Sequence, residues 1–195
     1  MYKLLRTIFH IFFKLIYRAE VIGRENIPET NKLIIIANHK SNFDPIFISA
    51  FFNRQIYWMA KEELFKNKLF GNFISALGAF PINRFGVDIK AIKTSLSHIK
   101  NGEVLGIFPE GTRVNEKNYS IVKAGTSIIA HKSKALVLPV YIDGNYKLFY
   151  KMRLIYKKPI DLSNFSKLTN EEYEIISRNM MRRIYGDEEV ESLPG

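Results

Sequence analysis

Cysteine is absent from the 195 residues, which excludes a structural disulfide, a thiolate zinc site and a cysteine nucleophile. The four histidines stand at positions 10, 39, 98 and 131, scattered and without metal-ligand spacing. No apolar run approaches the roughly 20 residues needed to span a bilayer, and no internal repeat, low-complexity linker or domain boundary interrupts the chain. Acidic residues are the minority charge: 29 Lys and Arg against 19 Asp and Glu give +10 at pH 7 and a pI near 9.7. Partners of such a chain are anionic: nucleic acid, an acidic membrane surface, a phosphorylated substrate or an acidic carrier protein. No nucleic-acid reader motif is present, and the cations are dispersed among apolar helices, so nucleic acid is the weakest of these. Hydrophobic content of 47% with 25% charged residues describes one globular domain with a sizeable core.

What is present is organised around Asn38-His39-Lys40-Ser41-Asn42-Phe43-Asp44-Pro45, directly after the uncharged run Leu33-Ile34-Ile35-Ile36-Ala37. Three isoleucines in five apolar residues predict a strand buried on both faces. Asp44-Pro45 predicts a helix start, because Asp suits the N-cap and Pro the first helical position. A tight turn then brings His39 and Asp44 together. That pair is the minimum kit for general-base catalysis, in which the imidazole takes a hydroxyl proton and the carboxylate fixes its tautomer. The same residues also read as an N-capping Asp beside an exposed loop His, since the spacing is short enough to arise by chance.

Tyr2 to Arg18 carries Lys3, Arg6, Thr7, His10, Lys14 and Arg18 at steps of three or four among Leu, Ile and Phe. This predicts an amphipathic helix over residues 1–18 with a narrow basic stripe, lying in an anionic membrane interface at roughly 1 kcal/mol per cation. A helix simply packed on the domain, or a signal peptide, are the competing readings. The charges at Lys14 and Arg18 and the lack of a small-residue cleavage site disfavour the second. Over residues 19–185 short strands are expected at 20–23, 33–37, 55–60, 78–84, 104–108 and 135–142, with an edge strand at 152–156. Helices are expected at 46–52, 61–65, 69–77, 88–100, 122–132 and 170–184. The alternation predicts a single α/β domain with a largely parallel mixed sheet covered by helices. The acidic tail, 186–195, reads as solvated or frayed.

Ligands of an open α/β sheet bind outside the carboxyl ends of its strands. Three expected strand ends carry polar clusters: His39 and Asp44; Asn83 and Arg84; and Glu110, Gly111, Thr112 and Arg113. A base beside two arginines suits deprotonation of a hydroxyl on a phosphorylated molecule, since the guanidinium fork meets phosphate oxygens bidentately. Each has a plainer reading alone, Arg84 as a surface cation and Glu110 with Arg113 as a local ion pair.

Asn38-His39 with Asp44, Gly78 through Arg84, Phe108-Pro109-Glu110-Gly111-Thr112-Arg113, and Leu138-Pro139-Val140 resemble, in order and spacing, the four sequence blocks of the glycerolipid acyltransferases. The likeness is strongest to the bacterial 1-acylglycerol-3-phosphate acyltransferases; Val114 departs from the Ser that many members carry after the arginine. The resemblance implies an O-acyltransferase in which His39 is the base and Asp44 orients it. Asn38, Arg84, Glu110, Gly111, Thr112 and Arg113 form the glycerol-phosphate site, and Pro139 belongs to the fourth block. It implies no metal and no bound cofactor, with acyl-CoA or acyl carrier protein as acyl donor and a lysophospholipid as acceptor. It also implies a peripheral position on the cytoplasmic face of the cell membrane. Transfer is expected to be direct, without an acyl-enzyme, in keeping with the absence of Cys and of a Gly-x-Ser-x-Gly elbow. Glycerol 3-phosphate or another lysolipid as acceptor, and a non-catalytic basic protein that binds anionic lipid, remain open at this point.

Overall fold

A computed structural model describes residues 1–83, 88–114, 116–119, 121–187, 189 and 191–193. Its strands are β1 (Glu20–Ile22), β2 (Leu33–Ala37), β3 (Ile56–Lys61), β4 (Ala79–Ile82), β5 (Val104–Ile107), β6 (Leu136–Asp143) and β7 (Arg153–Tyr156). They form one sheet in the order β1-β7-β6-β2-β5-β3-β4, in which only the β6–β7 pairing is antiparallel. The helices are α1 (Tyr2–Ile16), α2 (Asp44–Phe51), α3 (Lys68–Ala76), α4 (Ile89–Lys100), α5 (Gly125–Ser133) and α6 (Asn170–Tyr185). Asp88 caps α4 by accepting from Ala91 N–H, and Thr169 with Glu172 closes a capping box on α6.

β2 lies at the centre, and alternation of its side chains builds both layers of the core. Leu33, Ile35 and Ala37 face α1 and α2, together with Phe13, Phe47 and Leu138. Ile34 and Ile36 face the opposite side, with Ile129 of α5 and Met180, Met181 and Ile184 of α6. All five β2 residues are fully buried, as the isoleucine run predicts. Pro139 sits in the interior strand β6, where a missing N–H normally disrupts a ladder. Its carbonyl accepts from Lys157 just past the last β7 residue, so the lost donor falls where β7 has already ended.

Three expectations change. Residues 153–156 are not an edge, because β1 pairs beyond them in parallel through Glu20–Arg153 to Ile22–Ile155. The tail is not simply frayed. Glu191 bridges Arg178 at 2.8 Å and Arg182 at 3.1 Å, and Asp187 accepts from Tyr119 and lies 3.3 Å from Lys117. The cations on the last turns of α6 draw the acidic segment back along the helix. Finally, α1 is divided between two roles. Phe13 is buried against α2, Arg6 donates to the Phe52 carbonyl at 2.9 Å and the His10 ring is 3.1 Å from the Ala50 carbonyl. Leu4, Ile8, Ile11 and Leu15 stay exposed on its outer side.

Candidate active site

β2 delivers Asn38 and His39 to the carboxyl end of the sheet. Asn38 is fully buried and spends its amide on β6: Nδ2 donates to the Ile142 carbonyl at 3.1 Å and Oδ1 accepts from Ile142 N–H at 2.7 Å. Its geometry thus anchors the strand end from which His39 projects.

His39 Nδ1 lies 2.9 Å from Asp44 Oδ2. The same oxygen accepts from Lys40 N–H at 2.6 Å and Ser41 N–H at 2.7 Å, while Oδ1 accepts from the Tyr146 hydroxyl at 2.8 Å. A carboxylate can only accept, so Nδ1 carries the hydrogen and Nε2 keeps its lone pair for chemistry. Asp44 does not cap α2 as its position predicts. It is the first residue of the helix, with Pro45 following it, and no side-chain cap is made. The two turn N–H groups, the imidazole and the phenol point the carboxylate backwards and use it as the hub of the turn.

Behind the imidazole stands a column of rings. His39 stacks on Phe108 with centroids 4.1 Å apart, and Phe108 stacks on Trp58 at 4.8 Å. Trp58 Nε1 donates to Ser49 Oγ at 3.0 Å. Gly106 makes room for this column. It pairs with Trp58 in the β3–β5 ladder, and a Cβ there would lie 2.4 Å from Trp58 Cε3.

Glu110, expected beside Arg113, turns inward instead. Its Oε2 accepts from His39 N–H at 2.7 Å and its Oε1 from the Tyr185 hydroxyl at 3.0 Å. Burial pushes its carboxyl up to about 7, against the opposing influence of those two donors. Gly111 has φ +66°, in the left-handed region, and its N–H closes a turn on the Phe108 carbonyl at 2.9 Å. The turn leaves Thr112 and Arg113 exposed, and Val114 N–H returns to the His39 carbonyl at 2.9 Å. His39, Asp44 and Glu110 are therefore brought together, Asn38 backs them, and Thr112 and Arg113 lie exposed just beyond the Gly111 turn. Arg84 lies outside the described residues. Among the described residues no group of His, Asp or Glu converges as metal ligands.

A family model described as Acyltransferase matches residues 18–143, a span that includes His39, Asp44 and Glu110. The chain belongs to the acyltransferase family. Among its relatives, a 1-acyl-sn-glycerol-3-phosphate acyltransferase of Bacillus subtilis is 34% identical over 178 residues, covering 88% of each chain. A protein of the same name from Streptococcus pneumoniae is 31% identical over 83% of this chain, which spans 63% of that protein's length. The crystal structure of the 1-acyl-sn-glycerophosphate (LPA) acyltransferase PlsC from Thermotoga maritima superposes with a TM-score of 0.71 at 28% identity. It covers 96% of this chain and 78% of its own. The likeness in fold thus extends over nearly all of the chain.

Tyr146, Phe108, Trp58 and Tyr185 are the site residues that sequence reasoning did not assign. Phe108 opens one of the four sequence blocks directly after the β5 run, and an aromatic ring at a strand end was a usable signal. Tyr146 and Tyr185 had none, since they lie 102 residues from Asp44 and 75 from Glu110.

Proposed function

We propose that this acyltransferase moves a fatty acyl group from a thioester to the free hydroxyl of 1-acyl-glycerol 3-phosphate, forming phosphatidic acid for phospholipid biosynthesis. The observation that carries the reading is the 2.9 Å contact between His39 Nδ1 and Asp44 Oδ2 at a strand end, in a chain whose relatives bear that activity's name. Nε2 takes the hydroxyl proton while the oxygen attacks the thioester carbonyl. The tetrahedral intermediate collapses, breaks the C–S bond and expels a thiolate. The imidazolium returns its proton to that sulfur, so hydroxyl and thioester become ester and thiol. Asp44 stabilises the transient imidazolium and holds the ring.

Arg113 is exposed and suits the acceptor's phosphate; Arg84 is proposed for the same role from its place in the second block. The donor is acyl-CoA or acyl carrier protein. No helix among the described residues is long and apolar enough to cross a membrane. A long-chain acceptor nevertheless resists entering water at about 0.8 kcal/mol per CH₂, which supports catalysis at a bilayer surface, with the outer stripe of α1 seated on anionic lipid.

The test is thiol release from acyl-CoA or acyl carrier protein with lysophosphatidate on anionic vesicles. Acceptor-dependent release is expected for the wild type. His39→Ala should lose about 10² to 10⁴ in rate while staying folded, and Arg113→Ala should raise KM for the acceptor. Undiminished turnover in folded His39→Ala sinks the mechanism. Release with glycerol 3-phosphate but not with lysophosphatidate changes the acceptor.

A further inference from the structure

Leu148, Phe149 and Tyr150 follow β6 in a loop that points three consecutive large apolar side chains outward, exposed by 60, 66 and 52%. Phe149 sits at φ +64°, a left-handed conformation that is costly for a bulky L-residue. The ring that this conformation presents stays largely exposed. The loop is tied to the end of α1: Phe149 N–H donates to the Ile16 carbonyl at 3.1 Å and Met152 N–H to the Tyr17 carbonyl at 3.0 Å. It therefore abuts the C-terminal end of the helix that carries the exposed Leu4, Ile8, Ile11 and Leu15. At the junction a cleft of about 570 Å³ is lined by Lys14, Arg18, Arg24 and Lys151 with a single carboxylate, Glu20. Lys147 adds a cation over the Tyr150 ring at 4.8 Å.

We propose that the Leu148–Phe149–Tyr150 loop is a second membrane-inserting element, acting with α1, and that the cationic cleft between them receives the phosphates of anionic lipid headgroups. Insertion stores the apolar side chains below the headgroups while Lys14, Arg18 and Lys151 stay at phosphate level, the arrangement an anionic interface favours. An acidic carrier protein would use the same cations, but three apolar side chains standing free of any groove suit acyl chains better than a folded surface. The loop also places the active site. Tyr146 begins it, its hydroxyl on Asp44, and the Tyr146 ring lies 5.8 Å from Phe43, the half-exposed residue just before Asp44. A bilayer seated on the loop thus meets the turn that holds the His39–Asp44 pair.

This inference deepens the membrane-surface reading above and rests on it. Because the chain has no cysteine, Phe149→Cys can be labelled at a single position with an environment-sensitive fluorophore. Glu171→Cys, on the first turn of α6 at the opposite end of the sheet, provides the control. Phosphatidylglycerol vesicles are expected to blue-shift the label at 149 and raise its emission several-fold, with the label at 171 unmoved. Lys151→Ala with Arg18→Ala should weaken that response several-fold at low salt. An unshifted label at 149 under conditions where α1, labelled through Leu15→Cys, does insert overturns the proposal. So does a shift produced by acyl carrier protein and not by vesicles. A wild type that transfers no acyl group to any acceptor would sink the proposed activity while a shifted label at 149 still upholds the insertion.

Discussion

Glu110 accepts hydrogen bonds from His39 N–H and Tyr185, yet burial dominates and raises its carboxyl from about 4.5 to about 7. A carboxyl raised in the folded state binds more protons there than in the unfolded chain between those two values. Its contribution is therefore fully present below about 4.5 and is lost as pH rises through about 7. Glu110→Gln keeps an acceptor for His39 N–H and removes the ionisation. The variant is expected to lose less stability than the wild type between pH 5 and 8, as urea midpoints would report. Parallel profiles for the two proteins would mean that Glu110 ionises without cost. At this scale the sequence singles out Glu110 but not its partners. Glu110 lies next to Arg113 in the chain, and only the fold turns it towards His39.

Strands β3 and β5 act on the His39 ring through their side chains as well as through the ladder. Gly106 in β5 leaves space for Trp58, Trp58 supports Phe108, and Phe108 supports the His39 ring. Gly106→Ala puts a methyl group into the indole. Overpacking of this kind costs about 1–3 kcal/mol, and movement of the column should lower kcat more than KM. Chemical denaturation together with kinetics checks both; an unshifted midpoint with full turnover would show that Trp58 has room to move. The elements themselves were largely legible, because hydrophobic period is local: the β2 run at 33–37 and the helix at 88–100. Which strand became the edge was not, since β1 and β7 look alike as short apolar runs and the reversal after β6 decided their order.

For the molecule as a whole, a net charge of +10 and an exposed apolar stripe on α1 act over different distances. Exposed charges are screened beyond about 8 Å at physiological salt, whereas apolar insertion is not. Binding to phosphatidylglycerol vesicles is expected to weaken about tenfold or more between low salt and 0.5 M, leaving a residual affinity. Sedimentation with vesicles across a salt series measures it. Affinity indifferent to salt would place all the binding energy in the apolar stripe.

By itself the sequence determined the alternation of strands and helices, the burial of Leu33–Ala37, and the delivery of His39 and Asp44 to one short turn, because all of these depend on neighbours a few residues apart. The family blocks pointed to acyl transfer on the same stretch. Only the tertiary structure decided that Tyr146 completes the Asp44 hub, that Glu110 holds the His39 backbone, and that α1 divides its apolar surface between α2 and the outside. Those outcomes depend on which strands become neighbours across the sheet. Hydrophobic pattern selects what is buried, but the order of strands selects what each buried group meets.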